Sequence, residues 1–139
     1  MSQYFQAEGQ VLWNPASRVA ELFFRTGEAL APTVDLPTGI DPMVADEYEI
    51  DLDAFTGFVD ALVRRYLSSS HAILRSLLEG FAATAIVMVQ RAGRQVPALD
   101  DVPVPDQRDI SVGPAGIAPP GDAARLRALA EEHARAMPV

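Results

Sequence analysis

The 139-residue sequence contains no cysteine and no lysine, and it has only two histidines. The absence of cysteine excludes disulfides, thiolate metal sites and a cysteine nucleophile. The N-terminus has no basic region followed by an apolar run, so we expect no signal peptide and predict a cytoplasmic protein. Residues 71–90 are the most apolar segment, but Arg75 and Glu79 interrupt it, and we expect no membrane span.

The charged residues that are present are distributed unevenly along the chain. The formal net charge is −8, and residues 26–63 carry nine acids without a single Arg. No basic stripe exists that could neutralise phosphates, which argues against a nucleic-acid partner and against an anionic membrane surface. A protein partner with a basic or polar surface fits this charge better.

The N-terminal third is predicted to form a β-hairpin followed by a helix. Two short β-favouring runs, residues 4–6 and 10–13, flank Gly9, which suits a tight turn. The Asn-Pro pair that follows predicts an N-cap and the first residue of a helix over about 15–31. Pro32 is expected to end this helix.

The acidic stretch contains a predicted third strand over about 47–52. Acidic and apolar residues alternate there, so one face is expected to be buried and the other exposed. This strand can extend the N-terminal hairpin into a small sheet, which is more stable than a hairpin alone. Residues 33–44 are predicted to be a structured loop, and Asp51 or Asp53 is expected to cap the next helix.

Helical spacing of apolar residues continues over about 53–69 and 71–92, with Ser70 between the two segments. The pattern leaves two alternatives, a break near Ser70 or one long projecting helix that pairs with another chain, and we favour the break. The second segment is apolar around most of its circumference. It is therefore predicted to be the central helix of a bundle or the interface of a homodimer formed through residues 73–89.

The C-terminal part is predicted to be a Pro/Gly-rich linker over 96–121 followed by an amphipathic helix over 122–137. This helix docks back, docks on a neighbour or frays. The domain prediction is a globular unit over 1–95, the linker, and the C-terminal helix over 122–139. The predicted fold class is α+β and predominantly helical, with the small sheet packed on the helix bundle.

No catalytic or metal-binding pattern is present in the sequence. A calcium loop that begins at Asp51 has Thr56 and Leu62 where Gly and Glu are required. His71 follows three serines, but the Gly-x-Ser-x-Gly elbow of hydrolases is absent. His133 does not belong to a His-Glu-x-x-His zinc pattern. We predict no catalytic residue, no metal ligand and no cofactor.

Two groups of residues remain as candidate sites. An exposed acidic face is the candidate partner-binding surface: Asp41, Asp46, Glu47 and Glu49. Aromatic residues early in the chain are expected to form core, with a ligand pocket as the alternative. The residues of that pocket would be Trp13, Tyr48, His71 and Phe81.

Three blocks of the sequence carry a resemblance to a known family. They are Tyr4-Phe5 with Leu-Trp-Asn-Pro at 12–15 and Val-Ala-x-Leu-Phe at 19–23, Leu-Pro-x-Gly-Ile-x-Pro-Met-x-Ala-Asp-Glu at 36–47, and Glu-Gly-Phe-x-Ala-Thr at 79–84. The chain resembles a small actinobacterial, Streptomyces-type family of unknown function over about residues 2–93. Its exclusive use of Arg and its abundant Ala also indicate a GC-rich genome. The resemblance implies no activity.

These observations favour a small interaction protein of the immunity or adaptor type that presents the acidic loop and strand to a partner. The first alternative is a small-molecule-binding protein or small enzyme of a specialised metabolic pathway that uses the aromatic pocket. The second alternative is a structural homodimer. The missing catalytic signature favours a non-enzymatic role without excluding an enzyme.

Overall fold

In the computed structural model, which describes residues 1–106, 108, 112–114, 116–117 and 121–139, the chain begins with the expected hairpin. Strand β1 (Tyr4–Ala7) pairs antiparallel with β2 (Gln10–Trp13). Glu8 and Gly9 between them have φ values of 52° and 79°. Two consecutive residues with positive φ form the tight turn that matches the twist of a two-stranded ribbon.

The third strand, β3 (Glu47–Glu49), pairs parallel with β1 and gives the sheet order β2-β1-β3. The small three-stranded sheet is therefore confirmed, but β3 is shorter than the predicted 47–52. It ends because Ile50 forms a bridge with Ile40 and Asp51 becomes the N-cap of the next helix. Asp51 Oδ1 accepts a hydrogen bond of 3.2 Å from the Ala54 amide.

Helix α1 (Ser17–Val34) starts two residues later than predicted. The Asn14-Pro15 pair does not cap it, because these residues continue the extended chain beside the N-terminus. The Gln3 amide donates a 3.0 Å hydrogen bond to the Pro15 carbonyl, and the Ser17 amide donates one of 3.0 Å to the Met1 carbonyl. These contacts with the first residues of the chain displace the start of the helix.

The predicted end of α1 before Pro32 is also wrong, since the helix includes this proline. Pro32 is exposed and lies in the last turn, where the loss of its amide hydrogen bond affects little of the helix. Asp35, with a φ of 53°, follows in the left-handed conformation and ends the helix.

The predicted break near Ser70 is confirmed by two separate helices, α2 (Leu52–Ser68) and α3 (Ala72–Arg91). The residue that caps α3 is His71. The His71 Nδ1 atom accepts a hydrogen bond of 3.3 Å from the Leu74 amide. His71 thus satisfies one of the free amides at the start of the helix.

Helix α3 is the central helix of the structure, as its apolar pattern predicts. It packs against α1 and α2, and residues 81–89 are all buried. By length and composition α3 could cross a membrane, but half of its most apolar window is already covered by the protein. The core helix of a soluble protein has the same properties. A homodimer could use only the exposed first half of the predicted 73–89 segment.

The beginning of the predicted linker belongs to the core. Residues Pro97–Leu99 form a 3₁₀ helix that packs against α2, and Ala98 and Leu99 are buried. The Ala98 amide donates a hydrogen bond of 2.8 Å to Asp60 Oδ1. Further along, β4 (Val112–Gly113) and β5 (Gly116–Ile117) pair antiparallel. Residues 107, 109–111, 115 and 118–120 of the predicted linker lie outside the described residues.

Helix α4 (Ala123–Arg135) docks back onto α3, which is the first of the three alternatives for the C-terminal segment. Leu126 and Ala130 on its inner face are buried in the common core. Two polar contacts add to this packing. Arg125 binds both oxygens of Glu79 at 2.8 and 3.1 Å, and Thr84 Oγ1 lies 2.8 Å from His133 Nδ1.

Candidate functional site

The acidic surface consists of a tight turn and the strand that follows it. Asp41, Asp46, Glu47 and Glu49 are all exposed. Val44 and Glu47 exchange backbone hydrogen bonds of 2.9 and 3.0 Å, which closes a two-residue turn. Asp46, the second residue of that turn, has a φ of 65°, which an aspartate tolerates better than most residues. Asp46 therefore has a role in the turn in addition to its charge.

The outer edge of β3 is covered by the preceding segment, residues 40–44. Ile40 bridges to Ile50, and the Asp41 amide donates a hydrogen bond of 2.9 Å to the Glu49 carbonyl. Exposed strand edges often carry charges that prevent pairing with another chain. Because this edge is already paired, the charges of β3 are not needed for that purpose.

The side chains of Glu47 and Glu49 lie on the solvent face of the sheet, since Tyr48 between them is buried. Gln6 of β1 donates to one oxygen of each, at 3.0 and 3.1 Å. Within the part of the chain that the structure describes, none of the four surface carboxylates forms an ion pair with an arginine. Their charge is therefore not neutralised inside the protein.

Three other acids of the 26–63 stretch, Asp51, Asp53 and Asp60, have partners within the fold. Asp51 caps α2, and Asp53 Oδ1 lies 2.8 Å from Arg94 Nη1. Asp60 binds Arg64 at 3.0 Å in addition to the Ala98 amide. The sequence indicated the cap, but the ion pair with Arg94 joins residues 41 positions apart and has no local signal.

Two apolar side chains lie among these carboxylates and were missed by the sequence reasoning. Met43 is 43% exposed and Val44 is 74% exposed. They belong to the segment that was predicted only as a loop, and no periodic pattern marks them. We define the acidic surface together with these two residues as the acidic patch.

The structure gives no support for a metal ion at the acidic patch. Among the described residues, no group of three or more His, Asp or Glu side chains is arranged to hold a metal. Glu47 and Glu49 instead share the amide of Gln6. The patch can offer hydrogen-bond acceptors and negative charge, which are the groups that Arg and Lys side chains bind.

The four residues of the alternative pocket are not brought together around one cavity. Trp13, Tyr48 and Phe81 are buried in the core, while His71 is exposed at the start of α3. The centre of the aromatic cluster is Phe5, whose ring stacks between Trp13 at 5.5 Å and Tyr48 at 4.5 Å. Trp13 and Phe81 line a shallow surface groove of about 200 Å³, but the space between the rings inside the core is filled by aromatic side chains.

A separate polar cluster lines a cavity of about 270 Å³ between α2, α3 and the start of α4. The Tyr66 hydroxyl donates a hydrogen bond of 2.7 Å to Glu79, which also binds Arg125. Burial and the hydrogen bond to Glu79 raise the pKa of Tyr66 to about 12. The hydrogen bond from Arg125 lowers the pKa of Glu79. Near neutral pH Tyr66 is therefore a donor, and the cluster holds α4 in place.

We expect Glu79→Gln to destabilise the protein by about 1–2 kcal/mol near pH 7, because the buried Tyr66 hydroxyl and Arg125 lose a charged acceptor. The folded-state pKa of Glu79 lies below its ordinary value of 4.5. Its stabilisation is thus present above that value and is lost as the pH falls through the folded-state pKa. Urea unfolding of both proteins across this pH range measures the difference. If the free energies of unfolding of the two proteins differed by the same amount at all pH values, the charge of Glu79 would not be the cause of the difference.

Comparison with known proteins adds a family but no activity. No curated protein and no solved structure matched the chain. A family described as a family of unknown function matches residues 1–139. The match confirms the resemblance to a family of unknown function and extends it beyond Gly93, where the sequence alone showed none. The chain therefore belongs to the DUF6086 family of unknown function.

Proposed function

We propose that this protein is a small cytoplasmic interaction protein of the adaptor or immunity type, and that its acidic patch binds a basic surface of a partner protein. The observation that carries the proposal is the charge of Asp41, Asp46, Glu47 and Glu49. These four carboxylates are exposed and have no arginine partner among the described residues, whereas Asp53 and Asp60 in the same stretch do.

The composition of the patch agrees with this role. Specific interfaces combine an apolar centre with a polar rim. Met43 and Val44 supply exposed apolar surface, and the carboxylates surround them in the sequence. The two-residue turn at 45–46 and the pairing of Asp41 with Glu49 fix the backbone of the patch before binding. A backbone that is already ordered loses less entropy when a partner binds.

The small-molecule alternative has less support. Its aromatic residues pack against each other, with Phe23 and Phe81 stacked at 4.4 Å and Trp13 edge-on to Phe23 at 5.3 Å. His71 already accepts a hydrogen bond as a helix cap. The role that we propose requires no chemistry from these residues.

Neutralisation of the four carboxylates is expected to abolish partner binding without affecting the fold. The variant carries Asp41→Asn, Asp46→Asn, Glu47→Gln and Glu49→Gln. Asn is compatible with the positive φ of Asp46, so the turn should be retained. Tagged proteins are expressed in the native host, and proteins that co-purify at low and high salt are identified by mass spectrometry.

The matched control removes the same charge at four other exposed acids, Glu28, Asp35, Glu131 and Glu132. We expect a partner that binds the wild type and the control, is absent from the patch variant and dissociates at high salt. A partner that binds the patch variant as well as the wild type, with no dependence on salt, would exclude the acidic patch as its site.

A further inference from the structure

A cavity of about 290 Å³ lies beside the acidic patch, between α1 and the three-stranded sheet. The residues that line it are Gln3, Glu21, Phe24, Arg25, Met43 and Tyr48. Met43 is part of the acidic patch, so the cavity adjoins the patch. The turn of the patch also lies next to the start of β1, because the Tyr4 amide donates a hydrogen bond of 2.9 Å to the Asp46 carbonyl. A partner that contacts the patch can therefore reach the cavity.

The Tyr48 hydroxyl is a polar group of this cavity that the fold does not use. Tyr48 is only 3% exposed, and its ring is stacked on Phe5 at 4.5 Å and tilted 5.2 Å from Phe24. Its hydroxyl forms no hydrogen bond with any residue that the structure describes. By contrast, the hydroxyl of the buried Tyr66 donates to Glu79 at 2.7 Å. Buried polar groups normally have a partner, so the free hydroxyl indicates a group that binds from outside.

The hydroxyl points toward the cavity, because the charged groups that act on the Tyr48 phenol, Glu21 and Arg25, both line it. Burial raises the pKa of Tyr48, the Glu21 carboxylate raises it further, and Arg25 lowers it. The phenol therefore remains protonated near neutral pH. A neutral phenol has lone pairs on its oxygen and can accept a hydrogen bond from a ligand.

Two further acceptors among the lining residues are unused. Glu21 contacts Arg25 only through Oε1, at 3.0 Å, so its Oε2 atom accepts no hydrogen bond among the described residues. The Oε1 atom of Gln3 is enclosed and has no hydrogen-bond partner there either. The charges of Glu21 and Arg25 balance, whereas Asp41 and Asp46 of the adjoining patch are not neutralised. The surroundings of the cavity are therefore negative and favour a cation that donates hydrogen bonds.

We propose that this cavity binds the guanidinium group of an arginine side chain of the partner protein, an assignment that rests on the function proposed above. A guanidinium is positively charged, carries only donors, and stacks on aromatic faces such as that of Phe24. The Tyr48 oxygen and Glu21 Oε2 accept from it, and the acidic patch binds the basic surface around it. Arginine is also among the residues that most often dominate the energy of an interface.

The test uses the purified full chain and N-acetylarginine amide, which represents an arginine within a polypeptide, in an NMR titration. We expect a dissociation constant of about 1 mM, which is reasonable for one side chain. N-acetylcitrulline amide has nearly the same shape without the charge and should bind at least about tenfold more weakly. Free arginine should bind no more tightly than the capped probe. Tighter binding of free arginine would overturn the partner's arginine as the occupant, because the cavity would then select the free amino acid.

Tyr48→Phe and Tyr66→Phe are a matched pair, because each removes one hydroxyl from a buried tyrosine. Tyr48→Phe should weaken binding of the probe at least about tenfold, and its midpoint in urea should not fall, since the hydroxyl has no partner inside the chain. Tyr66→Phe should bind the probe like the wild type and unfold at lower urea, because the hydrogen bond to Glu79 is lost. A wild type that does not bind the probe, or equal binding by Tyr48→Phe, would overturn the proposal.

Co-purification from the native host separates the cavity from the patch. We expect Tyr48→Phe to lose most of the partner that the wild type retains, and Tyr66→Phe to retain it. If the four-carboxylate variant loses the partner and Tyr48→Phe does not, the patch binds the partner and its arginine does not occupy the cavity. If the wild type binds the probe but no protein, the proposed function fails while the guanidinium site remains.

Discussion

Gly39→Ala is expected to destabilise the protein by about 2–5 kcal/mol, which is a large loss for a single methyl group. Gly39 has a φ of 77° in the segment that precedes the acidic patch. A left-handed backbone costs alanine about 1–2 kcal/mol, and a forced shift of packed atoms adds about 1–3 kcal/mol. Both costs apply at this position.

The packed atoms around Gly39 belong to the backbone and cannot move independently. A Cβ would lie 2.5 Å from the Phe55 amide nitrogen and 2.9 Å from the Asp51 carbonyl oxygen. Gly39 is also held in place, because its carbonyl accepts a hydrogen bond of 2.8 Å from the Asp51 amide. Relief of the clash therefore requires the backbone at Gly39 and the start of α2 to move apart, and the chain continues from Gly39 directly into residues 40–44, which carry part of the acidic patch.

Gly9→Ala is the matched control for this prediction. Gly9 has nearly the same φ, 79°, but a Cβ there would meet nothing within 4 Å. We expect it to lose only the conformational cost of about 1–2 kcal/mol. Urea unfolding of the wild type and both variants gives the comparison. Equal losses for the two alanine variants would show that the close contact at Gly39 is unimportant.

Local signals account for the parts of the fold that the sequence predicts correctly. The glycine turn of the hairpin, the alternation around Tyr48 and the serine-rich break before α3 each depend on neighbouring residues. The failures depend on distant ones. The start of α1 is set by Gln3 and Met1, and the 3₁₀ helix at Pro97–Leu99 is fixed by Asp60. A Pro/Gly-rich segment carries no pattern that indicates such contacts.

The sequence also predicted the local features of the candidate site but not its distant contacts. Its four carboxylates stand out in the sequence because the stretch has no arginine. The sequence could not show that Asp53 and Asp60 would be paired, or that residues 40–44 would cover the edge of β3. The contacts of Asp53 with Arg94 and of Asp60 with Ala98 are long-range, whereas Ile40 with Ile50 and Asp60 with Arg64 join residues ten and four positions apart. The structure therefore separates carboxylates with structural partners from those that remain available.

The second large effect is expected for Phe5→Ala, with a loss of about 3–5 kcal/mol in the free energy of unfolding. Phe5 is fully buried on the central strand. Its ring contacts three others, stacked on Trp13 and Tyr48 and edge-on to Phe23 at 5.3 Å. Removal of the ring leaves a cavity between the sheet and α1. A natural domain has a total stability of only about 5–15 kcal/mol, so the variant should be close to unfolding.

This prediction also distinguishes a filled core from a ligand pocket. If the aromatic cluster were a preformed binding site, Phe5 would line an open space, and its removal would cost little stability. Phe24→Ala serves as the control, because Phe24 is only partly buried and lies tilted 5.2 Å from Tyr48. We expect its loss to be less than half that of Phe5→Ala in urea unfolding. If Phe5→Ala lost as little free energy of unfolding as Phe24→Ala, the space around the Phe5 ring would be unfilled. The pocket would then again be a candidate site.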